Sequence, residues 1–164
     1  MTHRWMAKAC LLFLVASTIG CDQVAKRVAT THLQGAPLQS FLGDTVLLEY
    51  AENAGAFLSL GADLPPWART AFFTLGTGII LIVCVVAASR SDWAGLPEIG
   101  LALVTGGGLS NFADRVSHGA VVDFLNVGVG SLRTGIFNVA DLAIVLGLAL
   151  LVLGRPRWPE ARER

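Results

Sequence analysis

Apolar and polar residues alternate in long blocks along this chain. Four predominantly apolar runs stand out: Ala9–Cys21, Ala71–Ala88, Ile99–Ala113 and Leu142–Leu153. Only the second approaches the ~20 residues that cross a bilayer unaided. The others reach that length by including flanks with Asp22, Asn111 or Asp141, and polar groups at membrane depth must face protein or a wet cavity. The pattern predicts four transmembrane helices, at about residues 8–26, 68–88, 97–114 and 137–155.

The composition supports a membrane protein. Hydrophobic residues make up 54% of the 164 residues, charged residues only 15%, and the mean hydropathy is +0.63. A soluble domain carries about 25% charged residues. We therefore predict a mainly α integral membrane protein that forms a single domain over residues 1–164.

Four spans would place both termini on one side of the membrane. The basic residues divide seven to five in favour of that side, and an arginine cluster follows the last run. Because positive charge marks cytoplasmic segments, we expect cytoplasmic termini. The loops at about residues 27–69 and 114–137 then face outward.

The first outward loop has strand character. Thr45–Tyr50 and Ala56–Leu60 are typical of strands, and Asn53-Ala54-Gly55 between them is typical of a turn. We expect a small β-sheet element at about residues 40–62, resting on the membrane surface, and a short second loop.

Composition also excludes several kinds of function. With 12 basic and 12 acidic residues the net charge is zero, so nothing favours binding to nucleic acid. All three cysteines lie in apolar stretches and the three histidines are scattered, which argues against disulfides and a metal site. We expect no cofactor.

Two aspartates occupy unusual positions. Asp123 lies among apolar residues, and Asp141 opens the last apolar run. Two carboxylates at the edge of the membrane can share one proton and activate water. Asn138 also fits a helix N-cap, with Asp141 at the third helical position and Phe137 and Leu142 as a hydrophobic staple. The two interpretations are compatible, because a helix N-terminus would hold and aim the carboxylate.

Other polar residues have structural explanations. Gly106–Asn111 lacks the Gly-Lys-Ser/Thr of a phosphate loop and fits close packing of membrane helices. Asp114 and Arg115 could form an ion pair. Asp22 and Lys26 stand four apart on one helix face and could form another.

The residues alone leave three classes open: a peptidase, a small transporter or proton-relay protein, and a membrane scaffold in which both aspartates are structural. The first 21 residues also imitate a cleavable signal ending in a lipid-acceptor cysteine. The three further runs favour a retained helix.

Five motifs together resemble the lipoprotein signal peptidase (signal peptidase II) family over nearly the whole chain. They are Asp22-x-x-x-Lys26, Glu52-Asn53-Ala54-Gly55-Ala56, Gly106–Arg115, Gly119–Phe124 and Phe137–Asp141. The resemblance implies an aspartic endopeptidase of the bacterial inner membrane with its active site at the periplasmic face. Its substrates would be prolipoproteins, cut on the N-terminal side of a cysteine that carries a diacylglyceryl group. Membrane lipids would be its other partners, and we expect a monomer.

The resemblance also assigns roles to residues. The catalytic pair would be Asp123 and Asp141. Residues that bind substrate or support the pair would be Asn53, Gly55, Asn111, Arg115 and Asn138. Structural positions would be Asp22, Lys26, Gly107, Asp114 and Ala140. The chain departs from the family pattern at Ala56-Phe57-Leu58 and at Ser110, which bears on loop shape and substrate preference.

Overall fold

The computed structural model describes residues 2–55, 65, 67–68, 71–90 and 95–154. Its helices are α1 (Thr2–Leu33), α2 (Gly76–Arg90, preceded by a π-helical turn at Ala71–Leu75), α3 (Leu96–His118) and α4 (Val139–Leu153). Its strands are β1 (Gln39–Phe41), β2 (Val46–Asn53), β3 (Val121–Val129) and β4 (Leu132–Arg133). A helix therefore lies at each of the four predicted segments, and α1 runs seven residues beyond the predicted end at 26.

Helix α3 is the centre of the bundle, and the glycines Gly106–Gly108 let three helices approach it. A Cβ built on the first would lie 2.9 Å from Thr18 of α1. One on the second would lie 2.5 Å from the backbone oxygen of Ala140 in α4, and one on the third 2.9 Å from Leu81 of α2. Successive helical residues point about 100° apart, so each glycine serves a different neighbour. The predicted packing role of this motif is confirmed.

The bundle is apolar outside and polar inside. Large apolar side chains such as Phe13, Phe72 and Val152 are more than 70% exposed. The buried polar side chains are Thr18, Asp22, Lys26, Ser110, Asn111, Asp114, Asp123 and Asn138. Two of the described helical stretches, Trp5–Leu33 and Ala71–Ala88, are long and apolar enough to cross a membrane, and the apolar α4 is shorter. Apolar side chains such as Leu101 and Ala140 share this interior, but large apolar residues outside and charged residues inside are unusual for a water-soluble protein.

A four-stranded antiparallel sheet, in the order β1-β2-β3-β4, covers one end of the bundle. The expected β-sheet is thus present, but the segment between α3 and α4, for which the sequence predicts a short loop, contains β3 and β4. Strand β3 forms because β2, about 75 residues earlier, pairs along its length, with Asn53 opposite Val121 and Ala51 opposite Asp123. The predicted strand at Ala56–Leu60 lies outside the described residues.

The helix directions bring the polar helix ends to the sheet. Helices α1 and α3 run parallel, since Ser110 bonds to Asp22 four residues after Gly106 meets Thr18. Helix α4 runs antiparallel to α3, with Gly147 packed against the start of α3. The N-terminal end of α1 and the C-terminal end of α4 therefore lie away from the sheet.

Candidate active site

Strand β3 places Asp123 between the sheet and the helices. The residue is only 2% exposed. Its Oδ2 accepts a hydrogen bond from Nδ2 of Asn53 on the paired strand, at 2.9 Å. Its Oδ1 accepts one from Nδ2 of Asn138, at 2.6 Å. The sheet and the start of α4 thus hold this carboxylate together.

Asp141 occupies the third position of α4, as predicted, and forms a capping box with Asn138, the predicted N-cap. The Asn138 side chain accepts the Asp141 backbone N–H at 2.9 Å, and Asp141 Oδ2 accepts the Asn138 backbone N–H at 3.3 Å. The other carboxylate oxygen, Oδ1, accepts Nδ2 of Asn111 from α3 at 2.8 Å. The cap fixes the backbone of Asp141, and the asparagine on α3 fixes its side chain.

Asn138 joins the two aspartates. Its side-chain amide donates to Asp123, and its backbone N–H donates to Asp141. It is completely buried. Each of the four carboxylate oxygens therefore accepts a hydrogen bond from an uncharged donor, and three of those donors are asparagine side chains. This arrangement links the two carboxylates through Asn138, and none of the four donors carries a charge.

The three asparagine amides all point their NH2 groups at the pair because their oxygens are occupied elsewhere. Oδ1 of Asn53 accepts the backbone N–H of Gly55 at 3.0 Å, which is the predicted turn. Oδ1 of Asn111 accepts Nζ of Lys26 at 2.7 Å. Oδ1 of Asn138 accepts the helix N–H described above. An amide whose oxygen meets a donor can only present its nitrogen on the other side.

Burial governs the acidity of Asp123. Removal from water raises its pKa from 3.8 to about 6, against the opposing effect of the Asn53 amide. This value includes three smaller effects. The negative charge of Asp141 also raises the pKa of Asp123, whereas the Asn138 amide and the charge of Lys26 lower it. A carboxyl group with a pKa near 6 exchanges its proton near neutral pH, as a general acid or base must.

Arg115 lies next to the pair and leaves hydrogen-bond capacity unused. Its Nη2 donates to the backbone oxygen of Gly55 at 2.9 Å, and its Nη1 makes a long contact of 3.5 Å to the backbone oxygen of Asn111. Its Nε is buried and bonds to no atom of the described residues. The predicted ion pair of Arg115 with Asp114 is wrong, because Asp114 binds Lys26 instead, at 2.6 Å.

A buried charged cluster supports the site from the side of α1. Lys26 bonds to both Asp22 and Asp114 at 2.6 Å, which confirms the predicted pairing of the first two. Asp22 also accepts Ser110 Oγ at 2.7 Å and the backbone N–H of Ala140 at 2.8 Å. The serine that departs from the family pattern therefore sits inside a helix and adds one bond to this cluster. The other departure, at residues 56–58, lies outside the described residues.

Sequence reasoning missed Gln23. Its side-chain amide donates to Asp114 at 2.8 Å and to Ser110 at 3.0 Å. The available signal was its position three residues before Lys26, which places both on one helix face. A glutamine beside an apolar run can bind many kinds of partner, so the spacing alone does not identify Asp114 and Ser110 as its partners.

Comparison with known proteins agrees with this geometry. The family model for signal peptidase (SPase) II matches residues 14–155. The lipoprotein signal peptidases of Salmonella typhi and Salmonella newport (strain SL254) are each 42% identical over 135 residues, covering 77% of this chain and 81% of theirs. This chain belongs to the signal peptidase II family.

The fold of this chain also resembles that of a protein of known structure. A bacterial membrane enzyme determined by the in meso method at 2.3 Å resolution superposes with a TM-score of 0.79. The match covers 95% of each chain at 24% sequence identity. The two folds are therefore alike over nearly the whole of both chains.

Proposed function

We propose that this protein is an aspartic endopeptidase that removes the signal peptide from diacylglyceryl-modified prolipoproteins, cutting on the N-terminal side of the lipid-modified cysteine. Membership of the signal peptidase II family supports removal of signal peptides from prolipoproteins. The observation that carries the aspartic mechanism is the joining of Asp123 and Asp141 through Asn138.

The pair acts on a bound water. Two neighbouring carboxylates share one proton, because both cannot ionise cheaply at short range. The ionised carboxylate takes a proton from water as the water oxygen attacks the scissile carbonyl. The protonated carboxyl donates a hydrogen bond to the developing oxyanion. As the tetrahedral intermediate collapses and the C–N bond breaks, the pair passes the proton taken from water to the leaving amine. Asp123 and Asp141 titrate as a unit, so these roles belong to the pair.

Neighbouring donors hold the peptide. Near hydrocarbon, backbone groups of a substrate need protein partners, since no water replaces them. Arg115, whose Nε has no partner among the described residues, is placed to bind a substrate carbonyl. Asn53, Gly55 and Asn111 form the walls of the substrate site around Arg115. The diacylglyceryl chains remain in the bilayer while the cysteine reaches the pair.

The proposed topology follows from the apolar surface and the helix directions. Four spans cross the bacterial inner membrane, both termini are cytoplasmic, and the sheet and the catalytic pair face the periplasm. The exposed apolar side chains of the helices support burial in lipid. The enzyme works as a monomer, without a cofactor and without nucleic acid.

The test uses the purified full-length protein in detergent with a lipidated prolipoprotein. Asp123→Asn and Asp141→Asn should each reduce cleavage at least 10³-fold, because an amide cannot accept the proton from water. Asp44→Asn is the matched control. It makes the same chemical change in an exposed residue that bonds to Ser40 at the far end of the sheet.

Both variants must remain folded for the test to be valid, which thermal unfolding would establish. Near-normal turnover by either folded variant would contradict the proposal. Chelating agents should leave the rate unchanged. Inhibition by a chelator that added zinc reverses would favour a metallopeptidase instead.

A further inference from the structure

Lys26 lies at the centre of the buried network although it touches neither aspartate of the pair. Its ammonium group has three N–H donors, and three acceptors surround it within 2.7 Å: Asp22, Asn111 and Asp114. The residue is 4% exposed. One carboxylate would neutralise it, and two are already present, so the third N–H donor is directed at an uncharged amide.

We propose that Lys26 is a positioning residue of the catalytic pair, which it serves by fixing the orientation of the Asn111 side-chain amide. This inference rests on the proposed function and adds a residue to its machinery. Lys26 donates to Oδ1 of Asn111, and Nδ2 of the same amide donates to Asp141 at 2.8 Å. The lysine thereby acts on Asp141 through one intervening side chain.

The argument depends on the chemistry of the two groups. An amide can rotate by 180° about its last bond and exchange its oxygen for its nitrogen. Only the observed orientation gives Asp141 a donor. An ammonium group carries no acceptor, so the reversed orientation would place NH2 against NH3⁺ and leave two buried donors facing each other. Nδ2 of Asn138 also donates to this oxygen, at 3.3 Å, but the bond from Lys26 is shorter, at 2.7 Å, and charged. Lys26 is therefore the principal donor that excludes the reversed orientation.

The two carboxylates around Lys26 hold it in place from both helices. Asp22 comes from one turn earlier in α1, and Asp114 from α3, one turn after Asn111. Asp22 is anchored in turn by Ser110 and by the N-terminus of α4. The ammonium group consequently has little freedom to move away from Asn111.

A polar cleft gives access to Lys26 from the side of the sheet away from Asp123. The cleft has a volume of about 720 Å³ and is lined by Lys26 and Asp114 together with Arg27, Thr30 and His118. Glu52 and Val122, which also line it, pair with each other next to Asn53 and Asp123 along the strands. Adjacent strand residues point to opposite faces. Removing the lysine side chain would open its place to this cleft.

The experiment is therefore chemical rescue of Lys26→Ala. The variant should cleave a lipidated prolipoprotein about 10²-fold more slowly with little change in KM, because a misplaced catalytic group costs about that factor. Methylammonium ions should restore at least a tenth of the lost rate in a saturable manner. Tetramethylammonium, which carries the same charge but no N–H donor, should restore nothing. Arg27→Ala, in an exposed neighbour on the same cleft, should behave as wild type.

Loss of Lys26 leaves two buried carboxylates without their cation, so the single variant could fail to fold. In that case Lys26→Met combined with Asp114→Asn removes one charge of each sign and is assayed instead. The double variant should lose about 10²-fold in kcat with an intact fold, because Asn111 no longer meets an ammonium donor.

Three outcomes would overturn the proposal: wild-type kcat in a folded variant without Lys26, equal rescue by both ammonium ions, or a defect confined to KM. Failure of the peptidase proposal has a different signature. Asp123→Asn and Asp141→Asn would then remain active, whereas an error about Lys26 alone would leave those two variants inactive.

Discussion

The Asp22 carboxylate of α1 accepts a hydrogen bond from the backbone N–H of Ala140, the second residue of α4, at 2.8 Å. The first N–H groups of a helix have no acceptor within the helix itself, and this N–H is one of them. Its acceptor comes from another helix more than 100 residues away. The bond therefore ties the beginning of α4, and with it Asp141, to the helix that carries Lys26.

Asp22→Ala should be strongly destabilising. The change leaves the Ala140 N–H and the Ser110 hydroxyl without their acceptor, at a cost of about 1–3 kcal/mol for each buried donor. Lys26 keeps the Asp114 carboxylate. Thermal unfolding in detergent measures this loss. Asp22→Asn is the matched variant, because its side-chain oxygen can still accept the Ala140 N–H. It should lose less stability and keep more activity. Equal behaviour of the two variants would show that the bond does not position α4.

Gly107→Ala should displace the start of α4. A Cβ there would lie 2.5 Å from the backbone oxygen of Ala140 and 2.9 Å from Ile144, so the helices must separate. Overpacking of this kind costs about 1–3 kcal/mol, and cleavage should fall because Asp141 moves with Ala140. Gly20→Ala is the control, since a Cβ on that helical glycine meets nothing within 4 Å. Similar activity of both variants would contradict the packing argument.

Asn53→Ala should move the pH–rate profile to higher pH. The Asn53 amide stabilises ionised Asp123 and lowers its pKa. Without that donor Asp123 keeps its proton to a higher pH, and the pair as a whole titrates later. Measuring kcat/KM from pH 5 to 9 tests this. Asn126→Ala changes an asparagine of β3 that bonds to Arg133, and its profile should match wild type. A downward shift in Asn53→Ala would reverse the assigned sign.

The stability of the protein should depend on Asp123 at acidic pH. Its pKa is about 6 in the folded protein, compared with 3.8 for a free side chain. The folded state therefore binds the proton more tightly, so this contribution to stability is greatest below about pH 4 and is lost as pH rises to about 6. The expected loss is about 2 kcal/mol after allowance for solvent screening. Asp123→Asn should lack this decrease when both proteins are unfolded thermally between pH 4 and 8. Parallel curves for the two proteins would contradict the raised pKa.

Much of the helical architecture could be predicted from the chain. Long apolar runs need burial in lipid whatever their neighbours are, so the helix positions were readable. The Asn138–Asp141 cap was also readable, because a capping box is made by residues three apart. The Asp22–Lys26 pair followed from the same local geometry, four residues along one helix face.

The partners of the remaining site residues could not be predicted in this way. The strand around Asp123 forms by pairing with β2, and nothing within residues 114–137 identifies that partner. The sequence suggests an ion pair between Asp114 and its chain neighbour Arg115, but the side chains of adjacent helical residues point about 100° apart. The parallel packing of α1 on α3 gives Asp114 to Lys26 instead.

The sequence by itself determined the membrane character, the helix positions, the local cap and, through its motifs, the family. These properties depend on hydropathy and on residues a few positions apart. Only the tertiary structure decided which side chains meet: Asn138 between the two aspartates, Asn53 on the opposite strand, and Lys26 behind Asn111. The physical reason is that a carboxylate's acidity and an amide's orientation are set by atoms within about 3 Å. Those atoms come from four separate segments of the chain.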